Sequence, residues 1–450
     1  MAKLATLTQP ETRARGRKLD SRPRSASRHA TAHPRAASSV PRRGNHRERR
    51  PHVGIGTLQV TERAKALVLE ALNNNRLSYG PMTRRFEREF AGIHGCRFGV
   101  MCNSGTSALQ VALQAMKERH GWDDGDEVIV PAVTFVSTVN IVHQNRMRPV
   151  LVDVEPDYFA LDPTLLEARI SPRTRAIIPV HPFGQPADMD LIRAIARRHG
   201  LKLIEDSCET MFARYQGRRV GSLGEIGCFS TYMAHLVVTG VGGMATTNDV
   251  DYATRLRSLV NMGRDPIYLT IDDDDGKSVA ALRKIVDRRF AFTSVGHSFR
   301  VTELEAALGL AQLDGWGAMI ASRQANARLL SRKLAHLTAH LQLPRVRAGS
   351  EHVFMVFPIV LRDAPKDHLV HFLERHGVET RDMLPLTNQP IYHRLFGWRE
   401  AEYPVAQRIN RQGFYVGCHQ HLTERELDYV AELITQHFRG GQVRTARGSS

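Results

Sequence analysis

The run MDLIRAIARRHGLKLIEDS, residues 189–207, carries the reading that decides the fold. Ile192, Ile195 and Ala196 share one face of a helical repeat with charges opposite, and Gly200 closes the segment at the C-cap position. The apolar stretch Leu201–Glu205 that follows is short enough to be a buried strand, and Asp206 then stands where open α/β sheets keep ligand-facing groups. Outward from this unit, similar short runs rich in Val, Ile or Leu occur at Phe98–Cys102, Glu127–Pro131, Pro149–Val154 and Ala176–Val180, mostly separated by helical text. Such alternation predicts a doubly wound, largely parallel sheet buried on both sides, with ligands at the carboxyl ends of its strands.

Beyond Thr302 the pattern changes to long helices, Glu303–Leu313 and Ala318–Leu337. A second α/β unit follows, with an apolar run Val353–Leu361, a helix near His368–His376 and a last helix near Glu424–Phe438. The expected organisation is a basic tail at 1–51, a large domain at 52–315, a smaller C-terminal domain at 316–440 and a short tail at 441–450. The acidic run Asp272–Asp275, with Gly276, lacks the glutamate a calcium loop needs at its twelfth position, so it reads as a solvated loop.

With 42% apolar and 24% charged residues, the 450-residue chain can bury a large core. The net charge of +16 suggests a nucleic-acid footprint until it is partitioned. Residues 1–50 hold 14 Lys or Arg against three acids, Glu11, Asp20 and Glu48, and contain no Phe, Trp or Tyr. This segment can neither form a core nor stack on bases, so nucleic acid is not expected as a partner apart from non-specific contacts of a disordered tail. No apolar run is long enough to span a membrane, and no apolar stretch follows the basic N-terminus as in a secretory signal. Cys96, Cys102, Cys208, Cys228 and Cys418 form an odd set without metal-like spacing, which fits free thiols in a reducing compartment. A cytoplasmic protein with no metal site is expected. The group Cys418, His419, His421 also lacks the spacing of a zinc site.

Asn103-Ser104-Gly105-Thr106 lies between an apolar strand and helical text. Such a turn presents free backbone N–H groups and a positive dipole end to a phosphate, although Ser and Thr are also ordinary N-caps. Downstream of Asp206 come Gly227-Cys228-Phe229-Ser230-Thr231-Tyr232-Met233-Ala234-His235 and Thr239-Gly240-Val241-Gly242-Gly243. The ordered set NSGT, TFVSTVN, a strand-ending Asp, Ser-x4-His and TGxGG resembles the DegT/DnrJ/StrS family of pyridoxal-phosphate enzymes acting on nucleotide sugars. The likeness extends from about His52 to Phe438.

The resemblance implies an aspartate-aminotransferase-like fold. It also implies that Gly105 and Thr106 hold the cofactor phosphate with Ser230, that Phe135 lies against the pyridine ring and that Asp206 pairs with the ring nitrogen. Glu209 falls beside the cofactor where many relatives have Gln. Ser298 stands where relatives commonly carry an Asn that reaches the phosphate of a neighbouring subunit, so a homodimer is implied. Candidate substrate contacts are His181, which alternatively stabilises its turn, and Arg264 and Arg300, whose guanidinium forks suit a nucleotide diphosphate.

The decisive departure is His235. Aminotransferases of this family have Lys there, which bonds covalently to the cofactor aldehyde; an imidazole cannot form that stable bond. No lysine occurs between Lys202 and Lys277. The same replacement marks a resembling branch, the 4-keto-6-deoxy-sugar 3-dehydratases. There the aminated cofactor condenses with the sugar ketone, the histidine moves the C4′ proton and the C3 hydroxyl leaves. The expectation is therefore pyridoxal or pyridoxamine phosphate held non-covalently, no iron–sulfur cluster, a nucleotide-linked keto sugar as substrate and an amino donor such as glutamate. Amino transfer to a keto sugar, or a non-catalytic cofactor-binding protein, are the alternatives. Leu236 and Val241 replace residues commonly polar or acidic in relatives, which bears on the pocket wall.

Overall fold

A computed structural model describes residues 52–265, 277–288 and 290–447, with side chains described as far as residue 439. The basic segment expected as an N-terminal tail and the acidic run expected as a solvated loop lie outside the described residues. Seven strands form the principal sheet: β1 (Phe98–Cys102), β2 (Glu127–Pro131), β3 (Arg148–Val152), β4 (Thr174–Ile177), β5 (Lys202–Asp206), β6 (Ile226–Ser230) and β7 (Gly243–Thr247). Their spatial order is β1-β7-β6-β5-β4-β2-β3, and every neighbouring pair is parallel except the two that β7 makes, which are antiparallel.

The strands near the middle are apolar because helices cover both faces of a parallel sheet. Val128, Ile129, Val130, Ile177, Ile204, Ile226 and Phe229 are fully buried, as are Leu109, Val111 and Leu113 of the helix Gly105–His120 packed on them. That helix is capped by the Ser104 side chain, which accepts from the Ser107 N–H at 3.0 Å, and it ends on Gly121 in the left-handed region. Met189–His199 is the helix expected from its periodicity, closed by left-handed Gly200.

A second, four-stranded sheet has β8 (Leu341–Gln342), β9 (Val356–Leu361), β10 (Thr380–Asp382) and β11 (Gly413–Gly417) in the order β8-β9-β11-β10. It has its own apolar cluster, including Leu330, Leu334, Phe357, Ile359, Phe414 and Ile434. The helix Trp316–Leu334 serves both cores: Ile320 packs into the larger cluster, Ala327 and Leu330 into the smaller. Val53 pairs with Val378, so the described N-terminus adds to the smaller unit. The last helix, Glu424–Arg447, continues through residues assigned to a tail by their sequence.

Beneath the ligand end of the sheet, Glu205 is fully buried. Its carboxylate accepts from the N–H groups of Gly221 at 2.8 Å, Leu223 at 2.6 Å and Gly224 at 2.6 Å, and from His181 Nε2 at 3.1 Å. Burial pushes its pKa up, but the bonds from His181 and the backbone outweigh burial and hold it below the ordinary carboxylate value. Glu205→Ala is expected to destabilise the protein by about 3 kcal/mol, because three N–H groups and an imidazole lose their acceptor. Urea unfolding measures this; a loss below about 1 kcal/mol would mean that water replaces the carboxylate.

Candidate active site

A cavity of about 500 Å³ opens at the carboxyl ends of β1, β2, β4, β5 and β6. Its phosphate-sized corner lies where the start of the 105–120 helix meets Ser230 and Gly242. Gly105 and Thr106 occupy the first helical turn, whose N–H groups have no partners within the helix. The chain segments approach so closely that side chains are excluded. A Cβ on Gly105 would lie 2.7 Å from the Ser230 Cβ, and one on Gly243 would lie 2.3 Å from the Ser104 carbonyl oxygen. Ser104 pairs with Gly242, which explains the glycine-rich TGVGG return in structural terms. The cradle combines backbone donors, a helix N-terminus and the Ser230 hydroxyl.

Asp206 forms the floor, 4% exposed. Its Oδ2 accepts the Thr138 hydroxyl at 2.8 Å and its Oδ1 the Cys208 N–H at 3.3 Å. No lysine or arginine is paired with it among the described residues, and burial raises its pKa despite these bonds. At the mouth, Phe135 leaves 54% of its surface exposed, so it is not a core side chain. An anionic floor, an uncovered aromatic face and an N–H cradle are arranged as three sides of one slot.

His235 lies on the loop after β6 and lines the cavity with Ala234 and Tyr232. Its backbone N–H donates to the Tyr232 carbonyl at 2.9 Å, while the loop base is tied by the Thr231 and Thr239 hydroxyls, 2.6 Å apart. The Nδ1 atom is shielded from solvent and has no hydrogen-bond partner. Burial pushes the imidazole pKa down to about 4, against a smaller opposing effect from the Cys208 carbonyl. The ring is thus neutral at pH 7 and able to accept a proton. Among the described residues, neither lysine nor arginine lines the cavity.

Glu209 also faces this space. Its Oε2 accepts the Phe183 N–H at 2.8 Å, and burial first, with the nearby Asp206 charge, lifts its pKa to about 7. Gly105, Thr106, Phe135, Asp206, Glu209, Ser230 and His235 therefore come together. The remaining candidates do not. His181 is fully buried, with Nε2 against Glu205 and Nδ1 accepting the Ala187 N–H at 3.0 Å, so it braces the turn instead of facing a substrate. Ser298 and Arg300 bond to each other at 3.0 Å outside the cavity, with Arg300 also on Asn261 at 3.1 Å. Arg264 lies over the Phe290 ring at 5.3 Å, also outside the cavity. Sequence reasoning missed Met355, Leu384 and Tyr415, which line the slot from the C-terminal part of the chain, and Thr134, Thr138 and Cys208 around the floor. Thr134 and Thr138 sit inside the TFVSTVN motif; nothing local marked the other four.

Residues 59–435 match the DegT/DnrJ/EryC1/StrS aminotransferase family. The chain belongs to that family. It is 35% identical to the GDP-perosamine synthase of Caulobacter vibrioides over 86% of this chain and 98% of that protein. It is 32% identical to the dTDP-4-dehydro-2,6-dideoxy-D-glucose 3-dehydratase of Saccharopolyspora spinosa, over 83% of each. Among solved structures, S. venezuelae DesV in complex with a ketimine intermediate superposes with a TM-score of 0.75 at 30% identity, covering 86% of this chain and 98% of that one. The fold is the aspartate-aminotransferase-like one of pyridoxal-phosphate enzymes, and the residues fit that group: Asp206 is a buried carboxyl with no lysine or arginine paired to it among the described residues, and the glycine-walled corner suits a phosphate. Among the described residues, no three His, Cys, Asp or Glu side chains are grouped to hold a metal, the five cysteines are free, and no helix is long and apolar enough to cross a membrane.

The depressed His235 pKa carries a sign. Between the ordinary 6.5 and the folded value of about 4, the unfolded chain binds the extra proton, so stability falls as pH falls through that window. His235→Gln should therefore lose less stability on acidification than the natural protein, and the His235 ring resonance in cofactor-free protein should titrate near 4. A midpoint near 6.5 would contradict the buried, neutral ring.

Proposed function

We propose that this chain is a pyridoxamine-phosphate-dependent 3-dehydratase of a nucleotide-linked 4-keto-6-deoxyhexose, working as a homodimer with its cofactor held non-covalently. The observation that carries the reading is His235, a neutral imidazole with an unpartnered Nδ1, in a cavity that no lysine lines among the described residues. The 32% identity to a sugar 3-dehydratase supports it. Exposed Tyr232, Met233 and Val241 around the mouth support a neighbouring subunit there.

Bound in the slot, the cofactor supplies the amine that engages the sugar ketone and a ring that accepts electrons. The chain's residues do the remainder. Gly105 and Thr106 N–H groups and the Ser230 hydroxyl would hold the phosphate, Phe135 would lie against the ring, and Asp206 would keep a proton on the ring nitrogen. Glu209 would stand beside the cofactor. His235 would accept the C4′ proton and pass a proton to the departing C3 hydroxyl, which would leave as water. Overall, glutamate supplies the two electrons: glutamate and the keto sugar give 2-oxoglutarate, ammonia and the 3-deoxy keto sugar. Without a lysine to complete amino transfer, hydrolysis is the exit.

Incubation of the protein with pyridoxal phosphate, glutamate and nucleotide-linked 4-keto-6-deoxyhexoses, read by mass, should show loss of one oxygen from the sugar. Replacement of the ketone by an amine would instead establish amino transfer. His235→Lys is expected to lower deoxygenation at least about 100-fold and to gain amino-sugar product. Undiminished deoxygenation in that variant would remove His235 from the mechanism.

A further inference from the structure

Asp206 is not held by a cation but by a short line of hydroxyls. The Thr138 Oγ1 lies 2.8 Å from Asp206 Oδ2, and the Thr134 Oγ1 lies 2.8 Å from Thr138 Oγ1. An ionised carboxylate only accepts, so the single Thr138 proton is committed to Asp206. Thr138 must then accept from Thr134, and the line has a direction: Thr134 to Thr138 to Asp206. Both threonines are buried, Thr138 completely, so water does not substitute for the Thr138 hydroxyl. Thr134 itself lines the cavity, and its N–H donates to the Leu384 carbonyl at 3.1 Å, which fixes the head of the line to the C-terminal part of the chain.

This geometry has a chemical consequence. A carboxylate and a ring nitrogen share one proton, and any donor to the carboxylate stabilises the state in which the ring holds it. We propose that Thr138, supported by Thr134, is a positioning residue that keeps Asp206 ionised and directed into the slot, so that the shared proton resides on the cofactor ring. The proposal rests on the cofactor reading above but concerns residues that reading does not use. The other titratable groups around Asp206 are His181 and Glu205 beneath it, Cys208 and Glu209 on its own segment and Cys228 on β6. Cys208 also donates to Asp206 through its backbone N–H, but from the carboxylate's own segment, while its thiol donates to the Cys228 carbonyl at 3.9 Å. The threonine line is the support from outside it.

Thr138→Val keeps the shape and removes the hydroxyl; Thr138→Ser keeps the hydroxyl. In cofactor-free full-length protein, a carboxyl 13C titration should show Asp206 binding its proton about tenfold more tightly in Thr138→Val than in the natural protein, with Thr138→Ser restoring it. With ring-15N pyridoxal phosphate bound, the nitrogen resonance should move from the protonated toward the unprotonated range in Thr138→Val and stay in place in Thr138→Ser. Thr134→Val should shift both in the same direction by a smaller amount, and it serves as the test if Thr138→Val does not fold. An unchanged Asp206 titration in the valine variants overturns the proposal while leaving the cofactor reading intact. A shifted Asp206 with an unchanged ring nitrogen overturns its cofactor half. Failure of the natural protein to bind pyridoxal phosphate, measured by equilibrium dialysis, overturns the proposed function and this proposal with it.

Discussion

The active-site region depends on a buried carboxyl with no lysine or arginine paired to it among the described residues. Asp206 ends β5 inside the sheet, where the Thr138 hydroxyl and the Cys208 amide donate to it. Burying such a group costs stability unless something positive arrives, and the slot above it is open. The parallel arrangement of β2, β4, β5 and β6 gathers the other functional groups at the same edge, since each strand leads into a loop on the ligand side. Glu205, one residue earlier and facing the opposite way, shows the contrast. It is fully satisfied by three backbone N–H groups and His181, and it braces the loop 221–224.

Two adjacent acids thus divide the labour of the strand end, one structural and one facing ligand. The same division holds among the histidines. His181 spends both ring nitrogens on the fold, whereas His235 keeps Nδ1 free inside the cavity wall. A neutral imidazole with a free Nδ1 in the cavity wall is a chemical arrangement different from a lysine amine, because it moves protons without forming the stable bond to a carbonyl.

Much of this was legible in the residues. The Phe98–Cys102 and Glu127–Pro131 strands are found with those bounds, because both are short, largely buried apolar runs, Glu127–Pro131 in the parallel part of the sheet and Phe98–Cys102 at its antiparallel edge. The strands Ile226–Ser230 and Gly243–Thr247 were read only as motifs, since glycine, serine and threonine in them mask strand character; the close approach of backbones at the cradle explains those residue types. The residues left His181 open between a substrate contact and a turn brace, because its position at a strand end looks the same whether the side chain turns toward solvent or toward Glu205. Arg264, Arg300 and Ser298 share a short segment pair outside this chain's slot, a placement that no spacing encodes. Met355, Leu384 and Tyr415 enter from far along the chain, so only folding reveals them.

The central claim is that the cofactor sits here without a covalent bond to the protein, with an imidazole in the place of the amine. Intact-protein mass spectrometry after borohydride treatment of the pyridoxal-phosphate-loaded protein tests it most directly. The account predicts the unmodified protein mass together with cofactor that dialyses away. A protein carrying one reduced pyridoxyl group on a lysine within the slot would contradict it.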